Sequence, residues 1–318
     1  MTKSTNKMNA SSRVGFSGHE TFSFRYSWLK KGVDSVAKDP AFFTKERAMV
    51  DLGVGKNMVN SIRHWCLAAR LIEQAIDPTN RGQFIPTEIG RRIFLDGRFD
   101  PYLEDPGTLW LIHWLIASNF ETATTWFWMF SNWNGVEFTK DRISYEIQSW
   151  LEKHAYKVVS DNSLKRDIDC FVRTYVHSRQ SKSTILEDTL DCPLVDLRLI
   201  TELADGKTYQ FQRGPQISLP DEILALALVE FWRASASYAM SIAFEKVAYD
   251  AGSPGRVFKL DEDSLASRLE NIGRITAGAF AYDETAGLKQ VYKLREVDPL
   301  TLLESYYQSR ALRTTASR

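Results

Sequence analysis

Cysteine is scarce in this 318-residue sequence. Its three residues, Cys66, Cys170 and Cys192, include no Cys-x-x-Cys pair, which excludes a disulfide framework and any cysteine-based zinc module. Long apolar runs are also missing. The nearest, Leu109 to Ala117, is short, is interrupted by His113 and falls well below the ~18 residues a membrane span needs. Met1 to Arg13 is polar and has no apolar segment, so it reads as a flexible tail with no secretory signal; a reduced, cytoplasmic protein is expected. There is no His-x-x-x-His zinc spacing and no His-Asn-His nuclease pattern. The one Asp-x-Lys spelling, Asp205-Gly206-Lys207, falls in an expected hairpin turn. Net charge is absent as well, with 40 Lys plus Arg against 40 Asp plus Glu. Charged residues at 25% and hydrophobic ones at 44% rule out a largely disordered chain. The length suggests about two domains of ~150 residues.

The balanced total hides a gradient. Residues 1–70 hold twelve Lys or Arg against five acids, a local +7 that hints at an anionic partner. Within this basic end lies Leu52-Gly53-Val54-Gly55-Lys56-Asn57-Met58-Val59. Its two glycines predict a tight turn between a short helix over Thr44–Val50 and a longer amphipathic one. On the longer helix Met58, Val59, Ile62, Trp65, Cys66 and Ala69 share one arc, while Asn57, Asn60, Ser61 and His64 take the opposite one. Leu71-Ile72, a Pro78-Thr79-Asn80-Arg81-Gly82 turn and Gln83–Pro86 follow as a two-stranded wing, and Thr87–Phe94 closes the unit as a helix. Residues 44–96 therefore read as a winged helix.

The pattern recurs. Asp141–His154 and Ser163–Val176 read as helices around a Ser160-Asp161-Asn162 cap, with Lys165, Arg166, Asp169 and Arg173 outward. Leu197–Ile200 and Thr208–Gln212 would be their hairpin. A third copy from Ser241 has a Gly252–Gly255 turn, a helix over Asp261–Ile272, and strands over Arg274–Tyr282 and Gln290–Leu294. Between the first two copies Trp110, Trp114, Trp126, Trp128 and Trp133 cluster with no interleaved Lys or Arg, which favours a core over a base-stacking platform. The fold class expected is α+β, mostly helical, with tandem winged-helix modules joined by a Trp-rich helical segment. The domains would be a basic region with a winged helix (1–100), an aromatic connector (101–137), a second module (138–220) and a third (221–318).

Three motifs bear on chemistry. Gly55-Lys56-Asn57 resembles the end of a phosphate-binding loop, but Val50 replaces its first glycine and Asn57 its hydroxyl residue, which removes nucleotide hydrolysis. As a DNA-reading helix the segment fits better. Asn57 and Asn60 can bridge adenine edges and Arg63 guanine, with Lys56 at a phosphate; Lys165 and Arg166 would hold phosphate from the second module. In Ser17-Gly18-His19-Glu20-Thr21-Phe22-Ser23-Phe24-Arg25, His19 could move a proton, Glu20 could orient it or bind Mg2+ or Mn2+, and Arg25 could clamp a scissile phosphate. The bland reading of the same stretch, and the better supported one, is a Ser17–Glu20 capping box opening a helix over residues 17–31, with Phe24 packed on Trp28. The acidic residues Glu187, Asp188, Asp191 and Asp196 read as a solvated face.

Phe16–Phe22, Trp28–Gly32, Leu52–Val59, Leu164–Ile168 and Gly255–Leu260 together resemble a bacterial family encoded beside sulfur-transfer genes related to phosphoadenosine phosphosulfate reductase. This is the family of the SspB-type DNA nickase component of Ssp DNA phosphorothioation and phage-defence systems. The resemblance spans nearly the whole chain. It implies an antiviral defence role, in which double-stranded DNA is nicked to let sulfur in, alongside a cysteine desulfurase, an ATPase and an ATP-pyrophosphatase-like sulfur transferase. It carries no residue roles onto this sequence. The expectations are thus a DNA-binding nicking endonuclease, a non-enzymatic DNA-binding adaptor that recruits the sulfur-transfer proteins, or a winged-helix regulator. A homodimer is plausible for a protein reading two half-sites.

Overall fold

The computed structural model describes residues 13–75, 82–95, 99–177 and 192–316. Residues 1–12, most of the turn over 78–82 and the acidic Glu187, Asp188 and Asp191 lie outside them. The chain divides into two compact units. The larger takes in residues 14–129 and 134–212; the smaller comprises Phe130–Trp133 and the chain from Arg213 onward. The first two expected modules and most of the connector therefore share one unit.

In the larger unit the helices α1 (Tyr26–Lys38), α2 (Ala48–Leu52) and α3 (Lys56–Ala68) precede the hairpin β1 (Ile72–Gln74) and β2 (Phe84–Pro86), closed by α4 (Glu88–Phe94). Antiparallel pairing of Ile72 with Pro86 sets the hairpin register, and the Thr87 hydroxyl caps α4 at Gly90 N–H. Gly53, with φ of 67°, ends α2 in the left-handed conformation that favours glycine. Then come α5 (Pro106–Ala117) and α6 (Thr124–Ser131), followed by β3 (Glu137–Thr139), α7 (Lys140–Lys153), α8 (Asp161–Tyr175), β4 (Ile200–Glu202) and β5 (Thr208–Phe211). Asp105 caps α5 through Gly107 N–H, with Pro106 in its first turn, a position where the missing N–H costs nothing. Every residue from Gly107 to Ala117 on this helix is buried, as a helix apolar on all faces must be. Trp110, Trp114 and Trp126 are at most 1% exposed, so the aromatic block is core.

The smaller unit runs α9 (Asp221–Ser235), β6 (Ser241–Ala243), α10 (Phe244–Tyr249), α11 (Pro254–Val257), α12 (Glu262–Glu270), α13 (Ile272–Ile275), β7 (Phe280–Thr285), β8 (Leu288–Lys293) and α14 (Pro299–Ala316). Its sheet, β6-β8-β7, repeats the order of β3-β5-β4 in the larger unit: a strand before the helices pairs with the second strand of the hairpin after them. The second and third expected copies thus share a sheet order, the first has a two-stranded sheet, and the fold is α+β, mostly helical, with small antiparallel sheets.

Several local expectations are corrected. No helix starts at Ser17. Ser17, Glu20 and Thr21 have φ of 63°, 49° and 72°, which breaks any helical run, and α1 begins at Tyr26. Phe24 accordingly lies ahead of the helix and packs on Trp65, with ring centres 5.3 Å apart, while Phe22 meets Trp28. The Thr44–Val50 helix is replaced by a 3-10 turn over Phe42–Thr44 and the later α2. Pro193–Leu197 is also a 3-10 turn, so β4 starts only at Ile200, and Arg274–Ala279 is helix end and turn, not strand. The strands β3 and β6 are too short to leave a period-two signal.

Candidate functional site

The loop Ser17–Thr21 holds three non-glycine residues at positive φ, Ser17, Glu20 and Thr21. Three non-glycine residues in left-handed conformation, one of them β-branched, store strain that the surroundings must hold in place. The restraint comes chiefly from α8. Asp167 is 1% exposed, and one of its oxygens accepts from Ser17 N–H at 2.6 Å and from His19 Nε2 at 2.7 Å. The other accepts from the Thr125 hydroxyl at 2.6 Å. His19 Nδ1 accepts from Thr21 N–H at 3.0 Å, which leaves the proton on Nε2 and fixes the tautomer. Two turns along α8, Arg173 donates to Thr21 O at 2.6 Å.

From the other side α3 closes the site. Asn60 Nδ2 donates to Glu20 Oε1 at 3.4 Å, and Trp65 Nε1 donates to Phe22 O at 2.8 Å. The His64 ring lies edge-on to His19, with centres 5.8 Å apart. Gly18 runs so close that a Cβ there would sit 2.3 Å from His64 Nδ1. Ser61 Oγ and His64 Nε2 are sealed from solvent without a hydrogen-bond partner. Both were expected on the polar arc of α3; Ser61 is buried and His64 is half-buried against Gly18, while Asn57 on the same arc stays exposed.

Burial, joined by the neighbouring His19, pushes the His64 pKa from 6.5 down to about 3, against the opposing pull of Asp167. The folded state therefore resists a proton that the unfolded chain accepts. Stability from this residue is full above about pH 6.5 and is lost as pH falls toward 3, by up to about 1.4 kcal/mol per pH unit. His64→Leu should lack this component. Urea midpoints between pH 7.5 and 4 are expected to fall less steeply in the variant than in the parent, and parallel curves would reject the assignment.

Lys56 and Asn57 are exposed, Asn60 and Arg63 are half-buried at the surface, and Lys165 and Arg166 are exposed. The loop joins the two groups, since Glu20 bonds to α3 and Thr21 to α8. Arg166, Asp169 and Arg173 continue along one face of α8, where Lys140 pairs with Asp169 at 2.6 Å. Glu20 is half-buried. Arg25 stands just ahead of α1, with its guanidinium 5.5 Å from the centre of the Trp28 ring. His19 is 1% exposed, and both its nitrogens are engaged. Sequence reasoning missed Asp167, Thr125 and His64. The available signal was Asp167 itself, a carboxylate set among Leu164, Ile168 and Phe171 on the inward arc of α8.

Among the described residues no three His, Cys, Asp or Glu side chains are placed to hold a metal ion. Magnesium is commonly bound by one or two carboxylates with waters and substrate phosphates. Here Asp167 already accepts three hydrogen bonds, and Glu20 alone adds a carboxylate. The loop does not form a magnesium cage by itself.

Residues 16–307 match the family model described as "Protein of unknown function (DUF4007)". The chain belongs to that family. Two solved structures are similar to this DUF4007 chain over 94% of its length and 90% of theirs. One is an SspB crystal structure, 29% identical with a TM-score of 0.82; the other is a magnesium ion-bound SspB crystal structure, 28% identical with a TM-score of 0.83. No curated protein sequence matches. The match of this DUF4007 chain therefore takes in both units, and it is an SspB-type member. No helix among the described residues is long and apolar enough to cross a membrane.

Proposed function

We propose that this protein is the SspB-type component of a bacterial DNA phosphorothioate modification and phage-defence system, and that it grips duplex DNA along the edge formed by α3, the Ser17–Thr21 loop and α8. The observation that carries this reading is the pair of bonds from Asn60 to Glu20 and from Arg173 to Thr21 O, which align two helix faces bearing Lys56, Asn57, Asn60, Arg63, Lys165 and Arg166. Each helix belongs to a helix-turn-helix unit followed by a hairpin, and we read these units as tandem winged helices. On this reading α3 reads bases through amide and guanidinium groups, while α8 holds phosphates and fixes the register.

Nicking fits the same edge. A water oxygen bonds to phosphorus, the bond from phosphorus to one sugar oxygen breaks, and that oxygen takes a proton from solvent as it leaves. Glu20 would take the proton of the water and Arg25 would neutralise charge on the phosphate. His19 would act by holding the loop, because neither nitrogen is available to substrate.

A second reading is favoured by those engaged nitrogens: an adaptor that holds DNA for the sulfur-transfer and ATPase proteins without cutting it. Supercoiled plasmid with Mg2+ or Mn2+ separates the two. Intrinsic nicking gives open circle with the parent protein and at least a hundredfold less with Glu20→Gln, while binding is kept. Binding without conversion in repeated pure preparations leaves the adaptor.

A further inference from the structure

The Gly53-Val54-Gly55 turn borders a surface groove of about 750 Å³ whose facing wall is the start of α1. That volume lies within the ~300–1,000 Å³ typical of small-molecule sites. Two cations line it, Arg25 and Lys31, and no carboxylate does. Both cations are held in place: Arg25 lies over Trp28, and Lys31 Nζ donates to Leu52 O at 3.1 Å. Beside them Tyr26 is 42% exposed, and its ring orientation is pinned by a 2.8 Å bond from its hydroxyl to Asp196. Val50, 79% exposed, adds apolar surface. A Cβ added at Gly53 or Gly55 would meet no atom within 4 Å, so the backbone leaves this wall open.

A ligand suited to this groove carries negative charge at one end and a flat, mostly apolar ring at the other. We propose that the groove holds one nucleoside phosphate, with phosphate on Arg25 and Lys31 and the base against Tyr26. A phosphate alone would leave the ring and Val50 unused, whereas a base stacked on an aromatic side chain gains ~1–3 kcal/mol. The source is either a free nucleotide or one nucleotide unstacked from a DNA strand; the second rests on the DNA-binding reading above, and the first does not. Val50 and Asn57 stand where a phosphate-hydrolysing loop needs glycine and a hydroxyl, so the groove binds the nucleotide without the hydrolysis of a P-loop.

The test uses the full chain and three probes: deoxyadenosine monophosphate, a flush duplex, and the same duplex with one unpaired nucleotide. Gly55→Leu fills the groove from a backbone position, φ −70° and ψ 164°, that any residue adopts; Lys31→Ala removes a cation. The bulged duplex should bind about tenfold more tightly than the flush one, and either substitution should abolish that preference while thermal melts stay unchanged. The monophosphate should bind the parent chain and not Gly55→Leu. Monophosphate binding without any duplex binding keeps the groove and overturns the DNA reading. Equal binding of the two duplexes with no monophosphate binding, or a preference that survives Gly55→Leu, overturns the groove.

Discussion

Asp167→Ala is expected to cost about 3–5 kcal/mol of stability, because it strands the partners of a buried carboxylate in a place water does not reach. Ser17 N–H, His19 Nε2 and the Thr125 hydroxyl all point at its two oxygens. For a folding unit of this size, that corresponds to a melting temperature lower by about 6–20 °C. Thr125→Val removes a single donor and should cost about 1 kcal/mol. Asp167→Asn keeps one acceptor but turns an amide toward existing donors, so it should fall close to the alanine variant. A double-mutant cycle with His19→Leu should give a coupling of at least about 1 kcal/mol, since the two groups share one bond network. Urea denaturation of the four single variants and the double mutant measures all of this. An alanine variant within about 1 kcal/mol of the parent would mean that the Ser17–Thr21 loop is not held by α8.

Why this carboxylate escaped the sequence reading is instructive. The amphipathic period of α8 placed Leu164, Ile168 and Phe171 inward correctly, and the same period places Asp167 beside them. What the period does not carry is the identity of its partners, which lie about 40 and 150 residues away in sequence. The helices α3, α4, α7 and α8 and the β1–β2 hairpin were legible because each has an apolar stripe, a capping residue or turn glycines. The strands β3 and β6 were not, since three residues each leave no alternation to read. The capping-box spelling at Ser17–Glu20 misled for a related reason. Ser and Thr hydroxyls bond to nearby backbone in turns as well as in caps, and the bonds from Ser17 N–H to Asp167 and from Arg173 to Thr21 O hold a strained left-handed loop where a helix start was expected. Ser61 and His64 lie on the polar arc by period, yet Ser61 is buried and His64 half-buried, because Gly18 packs against the His64 ring.

The largest effect of all is expected in the salt dependence of DNA binding. Lys56 and Arg63 on α3 with Lys165 and Arg166 on α8 offer about four phosphate contacts, and each contact that releases a condensed counterion adds about −0.9 to the slope of log affinity against log salt. The parent chain should therefore show a slope near −3.6, equivalent to about a 150-fold loss of affinity between 50 and 200 mM salt. Removing Lys165 and Arg166 together should flatten the slope by about 1.8 on any sequence, because phosphates carry no base identity. Asn60→Ala should leave the slope alone and instead narrow the gap between preferred and random duplex, by about 1–3 kcal/mol if Asn60 bridges an adenine. Arg173 provides an internal check. Its guanidinium is committed to Thr21 O, so Arg173→Ala should weaken binding mainly by loosening the loop, with a slope change smaller than that of Arg166→Ala. A slope near zero for the parent chain would assign this edge to a protein partner and not to DNA.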